Sequence, residues 1–194
     1  MKVSITGHTR GIGKALTETF STHGYDTIGF STSNGYDIAD KTSRQQILKL
    51  SEDADIFINN AYHPEGQTLL LLDMINLWDN TNKLIINIGS KCTLAYINGV
   101  ENEYILEYLK QYTNAKQAQD TIIKSRMGIS TPRLLNVVPG VVDTDMTSTM
   151  ICNKMDASKV SSLILHLVSI CHWINVQEIV IDAPGANWGD IKFT

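Results

Sequence analysis

Cysteine is scarce in this chain of 194 residues: three copies, far apart, at Cys92, Cys152 and Cys171. No CxxC pair joins them and none pairs with a histidine at metal-ligand spacing. That excludes a disulfide framework and predicts a reduced protein, cytoplasmic in location. The five histidines, His8, His23, His63, His166 and His172, show no ligand spacing either, so no metal is expected. Basic blocks are missing and the net charge is −4, which argues against nucleic acid or an anionic membrane as partner. Long apolar runs are missing too. "TLLLLDMINLW" and "SSLILHLVSICHWI" are interrupted and too short to span a bilayer, so both read as buried helices and no membrane partner is expected. "MKVSITG" runs straight into a strand, which predicts no signal peptide. No proline-rich linker or low-complexity segment divides the chain, and residues 1–194 read as a single domain.

What is present is alternation. "KVSITG", "YDTIGFS", "ADIFINNA", "KLIINIGS", "PRLLNVVPG" and "VQEIVID" are short apolar runs that read as buried strands. Between them, "GIGKALTETFSTHG", "KTSRQQILKLSED", "QTLLLLDMINLWDN", "ENEYILEYLKQYTNAKQAQDTIIKSRM" and "DASKVSSLILHLVSICHW" carry helical spacing. Strands alternating with amphipathic helices predict an α/β protein, a doubly wound parallel sheet of about six to seven strands with helices on both faces. In such sheets ligands bind beyond the carboxyl ends of the strands. The residues that follow each strand therefore matter most.

After the first strand comes "TGHTRGIG", Thr6 to Gly13. Its glycines permit a tight turn and close backbone approach. The helix that opens there offers free N–H groups and the positive end of its dipole to a pyrophosphate. A glycine-rich turn without ligand would look the same in isolation, but first strand then helix is the required context. Further on, "YTNAK" sets Tyr112 and Lys116 four residues apart on one helix face. A surface tyrosine beside a lysine would give that spacing by chance. Asp120 and Lys124, on the same helix, read as a solvated i,i+4 pair.

Taken in order, these residues resemble the short-chain dehydrogenases/reductases. T-G-x-x-x-G-x-G is the family's glycine motif, and Arg10 stands where its extended members carry glycine. "NNAY" (Asn59 to Tyr62) resembles NNAG. Ser90, closing "INIGS", resembles the catalytic serine. Tyr112 and Lys116 match YxxxK. "NVVPGVVDT" resembles the PG loop and its threonine, and "VQEIVIDAPG" the closing strand. The resemblance covers nearly the whole chain and implies a Rossmann-type fold with the catalytic residues in the same NAD(P)-binding domain. It implies a hydride transfer between NADP(H) and a small-molecule carbonyl or alcohol.

By that resemblance Tyr112 is the acid/base, Lys116 lowers its pKa and holds the nicotinamide ribose, and Ser90 fixes the substrate oxygen. A phenol titrates near 10, so a neighbouring ammonium has to favour the phenolate. Cofactor contacts are expected from Gly7, Thr9, Arg10, Gly11, Ile12 and Gly13 in the first loop, and from Ser31 and Thr32 after the second strand. Asp37 and Ile38 are expected at the adenine, although Asp37 would serve equally as a turn cap. Asn59 and Ala61 are expected near the ribose, and Pro139, Gly140, Val142 and Thr144 at the nicotinamide. The second strand ends in "GFSTSN" without the acid that binds a ribose 2′-hydroxyl, and Arg10 is suited to a 2′-phosphate. The expected cofactor is therefore NADP rather than NAD.

The departures are specific. Only about five residues separate "TIGFS" from "YDIAD", too few for a parallel crossover, so the family's second helix is largely lost and its third strand cut back. Its active-site asparagine has no clear match; Asn76 lies too close to Ser90. Tyr62 replaces a glycine and is expected to bring a ring to the cofactor edge. "DMTSTMICNKM" is too short for a substrate lid, so a shallow, open site is expected. The insert "KCTLAYINGVENEY" is expected to supply pocket walls. A second reading keeps the fold without turnover, as an NADP-binding sensor or scaffold. Family members often form dimers or tetramers, so a homo-oligomer is expected.

Overall fold

The computed structural model describes residues 1–94, 103–129, 131–171, 173–186 and 191–193. Residues 95–102 of the insert and His172 lie outside the described residues. The strands are β1 (Lys2–Thr6), β2 (Asp26–Phe30), β3 (Ile56–Asn59), β4 (Leu84–Ile88) and β5 (Arg133–Pro139), then the two-residue β6 (Val142–Asp143), β7 (Met150–Ile151) and β8 (Met155–Asp156), and finally β9 (Glu178–Ile181) and β10 (Lys192–Phe193). The helices are α1 (Gly11–Thr22), α2 (Lys41–Ser51), α3 (Gly66–Leu77), α4 (Glu103–Ser125) and α5 (Ala157–Ile170).

Six strands form one sheet in the order β2-β1-β3-β4-β5-β9, and every pairing is parallel. The chain steps from β1 outward to β2, then returns to the other side of β1 as β3. That reversal opens a crevice at the carboxyl ends of β1 and β3. Between Phe30 and Lys41 there is no strand and no α-helix, only the short turn Thr32–Asn34. The expected loss of the second helix and third strand is what the structure shows, and it leaves β2 as the sheet edge.

Successive strand residues serve opposite faces, as the pleat requires. Val3, Ile5, Ile56, Ile58, Leu84, Ile86, Leu135 and Val137 pack under α1 and α5. Phe57, Ile85 and Leu134 pack with Ile47, Leu70, Leu71, Met74, Trp78 and Ile123 on the other face. Each fully buried side chain of this size contributes about 1.5–3 kcal/mol of transfer free energy. On α5 the inward residues Val160, Ile164, Leu167 and Val168 follow helical spacing.

Helix starts differ in a telling way. Asp40 caps α2 by accepting the Ser43 N–H at 2.7 Å, and that bond holds its carboxyl below the usual range. Asp156 caps α5 by accepting from Ser158 N at 2.6 Å. Arg10, which precedes α1, makes no such bond, and the first turn of α1 holds no acid. The amino end of α1 is open to an anion.

Candidate active site

One cleft of about 580 Å³ runs along the carboxyl edge of the sheet. It gathers Gly7, Thr9, Arg10, Gly11, Ile12, Ser31, Thr32, Asp37, Ile38, Ala61, Ser90, Tyr112, Lys116, Pro139, Gly140, Val142 and Thr144. These are all the expected site residues except Gly13 and Asn59. Sequence reasoning missed Tyr36, Asn60, His63, Asp145, Met146 and Thr147, which also line the cleft.

At the amino end of α1, Gly7 has φ +70°, a conformation that favours glycine. A Cβ on Gly13 would lie 2.1 Å from the Gly7 carbonyl oxygen and 2.6 Å from Asn60 Nδ2. Gly13 therefore lets the first turn of α1 press against the loop instead of facing a ligand. The uncapped helix end, the glycine loop and Arg10 together form a cradle that fits the pyrophosphate of a dinucleotide.

Beyond β2, Ser31 and Asn34 cap the Thr32–Asn34 turn: Asn34 Oδ1 accepts from Ser31 N at 2.8 Å, and Asn34 Nδ2 donates to Gly29 O at 2.9 Å. Asp37 Oδ1 accepts from Ala39 N at 2.9 Å, so it does act as a turn cap while lining the cleft. Arg44 reaches from α2 and donates to the carbonyls of Ile38 (2.7 Å) and Ala39 (2.9 Å), which locks this turn from behind. Arg10 is exposed at the same end, and no carboxylate replaces the missing acid among Ser31, Thr32 and Ser33.

Asn59, expected near the ribose, does not line the cleft, whereas Asn60 does. Asn59 lies wholly buried in β3, where its Nδ2 donates to Gln67 O and to Asn87 Oδ1, both at 3.0 Å. Asn87 in turn donates to Asn136 Oδ1 at 3.1 Å, so three asparagines in register across β3, β4 and β5 form a ladder inside the sheet. Asn60, one residue on, turns to the cleft and donates through Nδ2 to Thr6 O at 2.9 Å. The strand's period of two sends neighbours to opposite sides. A readable signal for the ladder existed: "IFIN", "IINI" and "RLLN" each place one amide in a buried apolar run, where it must find a partner.

At the far end of the cleft, Ser90 follows β4 and hydrogen-bonds Tyr112, and its Oγ accepts from Cys92 N at 3.1 Å. Tyr112 keeps part of its surface open, but its ring lies 4.8 Å from that of Tyr62 and 6.2 Å from that of Tyr108. Burial pushes the Tyr112 phenol well above its ordinary range, and the Ser90 bond offsets part of that. Lys116 is buried, and burial lowers its pKa to about 7. Its Nζ sits 5.6 Å from the Tyr112 ring centre and donates to Gln67 Oε1 and Ile88 O, both at 2.8 Å. The expected lowering of the Tyr112 pKa by a charged Lys116 is thus not what these side chains produce. Burial favours the neutral form of Lys116, and burial with the neighbouring phenols opposes ionisation of Tyr112.

Thr144 caps the short 3-10 turn Asp145–Thr147, and among the described residues no α-helix lies between it and α5. Asn76 is exposed on α3 and does not line the cleft. Lys124 and Asp120 pair at 2.7 Å on the α4 surface, as read. Among the described residues no three His, Cys, Asp or Glu side chains converge as a metal site, and no helix is long and apolar enough to cross a membrane.

Solved structures share this architecture. A 4-hydroxyisoleucine dehydrogenase mutant complexed with NADH and succinate superposes with a TM-score of 0.75 at 17% identity, covering 96% of this chain and 100% of that one. The 3-alpha-hydroxysteroid dehydrogenase from Pseudomonas sp. B-0831, complexed with NADH, gives 0.72 at 16%, covering 94% and 95%. The fold is that of the short-chain dehydrogenases/reductases. A short-chain dehydrogenase from Burkholderia cenocepacia J2315 in complex with NADP gives 0.73 at 15%, covering 94% and 88%. No family model and no curated protein matches the chain by sequence. In this chain the sheet ends at β2, with no strand or α-helix between Phe30 and Lys41.

Proposed function

We propose that this chain is a single-domain, NADP-dependent oxidoreductase that interconverts a small-molecule carbonyl and its alcohol. The observation that carries the reading is one cleft with Ser90, Tyr112 and Lys116 at one end and the uncapped amino end of α1 at the other. The dinucleotide, when bound, would supply or accept the hydride. The chain's own residues do the rest. Backbone N–H groups at the start of α1 hold the pyrophosphate. Arg10, with Ser31 and Thr32, receives the adenosine 2′-phosphate, a contact no carboxylate opposes. Ser90 donates to the substrate oxygen and fixes it. Tyr112 gives its proton to that oxygen in reduction and takes it back in oxidation, with Lys116 beside it to balance the charge. Solved relatives are complexed with both NADH and NADP, so the preference for NADP rests on Arg10 and the missing acid.

The cysteines are free, which suits a reducing cytoplasm. Leu69 and Leu72 on α3 are exposed and offer the apolar surface a homo-oligomer would use. A nucleotide sensor of the same fold is the second reading. The raised pKa of Tyr112 favours it, because a phenol so reluctant to ionise is a poor base in the oxidising direction.

Binding of NADPH and NADH, followed by a carbonyl panel with wild type and Tyr112→Phe, tests both readings. Tighter NADPH binding with turnover lost in Tyr112→Phe supports the enzyme. Tight binding with no turnover in either protein supports the sensor, and turnover unchanged in Tyr112→Phe removes Tyr112 as the acid.

A further inference from the structure

The amine of Lys116 rests on a residue that no reading so far explains. Gln67 is the second residue of α3 and is fully buried. A buried primary amide has to satisfy both its oxygen and its nitrogen. Gln67 Nε2 donates to Asn59 O at 3.0 Å and to Ile88 O at 3.3 Å. Both partners are carbonyls, which only accept, so the amide has one admissible orientation. Its Oε1 is thereby turned to Lys116 Nζ at 2.8 Å, and it also accepts from Gln119 Nε2 at 3.2 Å. The asparagine ladder anchors the arrangement, because Asn59 Nδ2 holds the Gln67 backbone carbonyl.

Lys116 Nζ has three tetrahedral directions besides its carbon. Gln67 Oε1 and Ile88 O occupy two of them. That leaves one for the cleft that Lys116 lines, where the Tyr62 and Tyr112 rings stand 5.8 and 5.6 Å from Nζ. We propose that Gln67 is a positioning residue for Lys116: with Ile88 O it holds two N–H groups permanently, so that the amine gains and loses only the proton that faces the cleft. A neutral amine has two N–H groups, both accounted for, and a lone pair aimed at Tyr112's side of the site. A charged amine has a third N–H in that same direction. The helix that lacks the family's expected asparagine thus carries its own support for the lysine, built from a side-chain amide.

The titratable groups around Lys116 agree with this. Tyr62 and Tyr112 present their rings at 5.8 and 5.6 Å, with Tyr108 and Cys92 beyond Tyr112. His63 lines the cleft and accepts the Gly66 N–H through Nδ1. Asp120, one turn along α4, is turned away to Lys124 and Asn136. Burial alone lowers the Lys116 pKa, with no carboxylate to offset it.

The use made of the cleft-facing proton rests on the oxidoreductase reading; the seating of the amine does not. The test therefore reads the amine directly. Titration of the full chain carrying 13Cε/15Nζ-labelled lysine, followed by NMR, gives the Lys116 midpoint. Gln67→Glu keeps an acceptor and adds a charge, so the midpoint should rise by about 1–3 pH units. Gln67→Met removes the acceptor and should cost about 10- to 100-fold in kcat with KM within about 3-fold, since a misdirected group loses rate before binding. Gln67→Glu should recover much of that loss and move the acid limb of the rate profile upward. In wild type the seated Nζ should show slow proton exchange and contacts to the Gln67 side chain. A freely rotating amine in wild type, or one Lys116 midpoint shared by wild type and both folded variants, overturns the proposal. If the variants do not fold, the wild-type exchange measurement alone decides it. Absence of turnover in wild type would sink the enzyme reading while leaving the NMR result to stand or fall independently.

Discussion

The two ends of the cleft are built by opposite means. The Ser90 end is made of buried groups: Lys116 and Ser90 lie inside, and Gln67, the asparagine ladder and Gln119 satisfy one another behind them. The Arg10 end is made of exposed turns, in which Asn34 and Asp37 bond to neighbouring backbone and Arg44 ties the turn from below. At the exposed end no strand or α-helix stands between Phe30 and Lys41, while the other end rests on a filled interior. Chemistry that depends on desolvated, oriented groups cannot be trimmed without collapse. A recognition surface made of local turns can be.

Four changes would break or sharpen that contrast. The largest effect belongs to Tyr112→Phe, expected to lower kcat by about 10²–10⁴-fold while NADPH binding, followed by calorimetry, stays within about 2-fold. Next comes Lys116→Met, read through stability against pH. The folded pKa of about 7 lies below the ordinary lysine value of 10.5. Between those values the unfolded chain binds the extra proton and the folded chain does not, so wild-type stability should rise with pH across that window. Below pH 7 both states are charged and the full burial penalty applies. Denaturation midpoints at pH 6, 7.5 and 9 should show this upward slope in wild type and lose it in Lys116→Met. An equal slope in both would mean that the amine is not buried in solution.

At the boundary between the two ends, Gly13→Ala drives a Cβ to 2.1 Å from the Gly7 carbonyl. Overpacking of this kind should cost about 1–3 kcal/mol in urea denaturation and weaken dinucleotide binding through the displaced loop. The smallest effect is at the exposed end, where Arg10→Ala should weaken NADPH about 10-fold, close to 1.4 kcal/mol, and leave NADH nearly unchanged. Equal losses for the two cofactors would show that Arg10 reads the common part of the ligand, and would remove the argument for NADP.

The sheet was legible from sequence because each strand is a short apolar run ended by glycine or a polar turn, and the shortage of residues between Phe30 and Tyr36 revealed the missing crossover. The candidate site was legible wherever a local motif marks a backbone shape, as at Gly7 to Gly13 and around Pro139. It was illegible where function depends on side chains brought together by the fold. Asn59 was expected near the ribose but lies buried inside the sheet, because strand phase cannot be read from NNAY alone. Gln67 looked like the polar start of a helix. The pKa of Tyr112 turns chiefly on its burial, which no local motif announces, and only secondarily on neighbours such as Tyr62, 50 residues away in sequence.

The turn after β2 has one more consequence. With the outer strand gone, the carbonyls of β2 that face away from β1 have no partner strand. Asn34 donates its side-chain amide to one of them, Gly29 O, and its own oxygen accepts from the Ser31 N–H. A three-residue turn thus occupies the rim that a passing chain would otherwise extend, and protects against the strand-by-strand growth that open sheet margins invite. The turn that ends β2 is in this sense also a guard against aggregation.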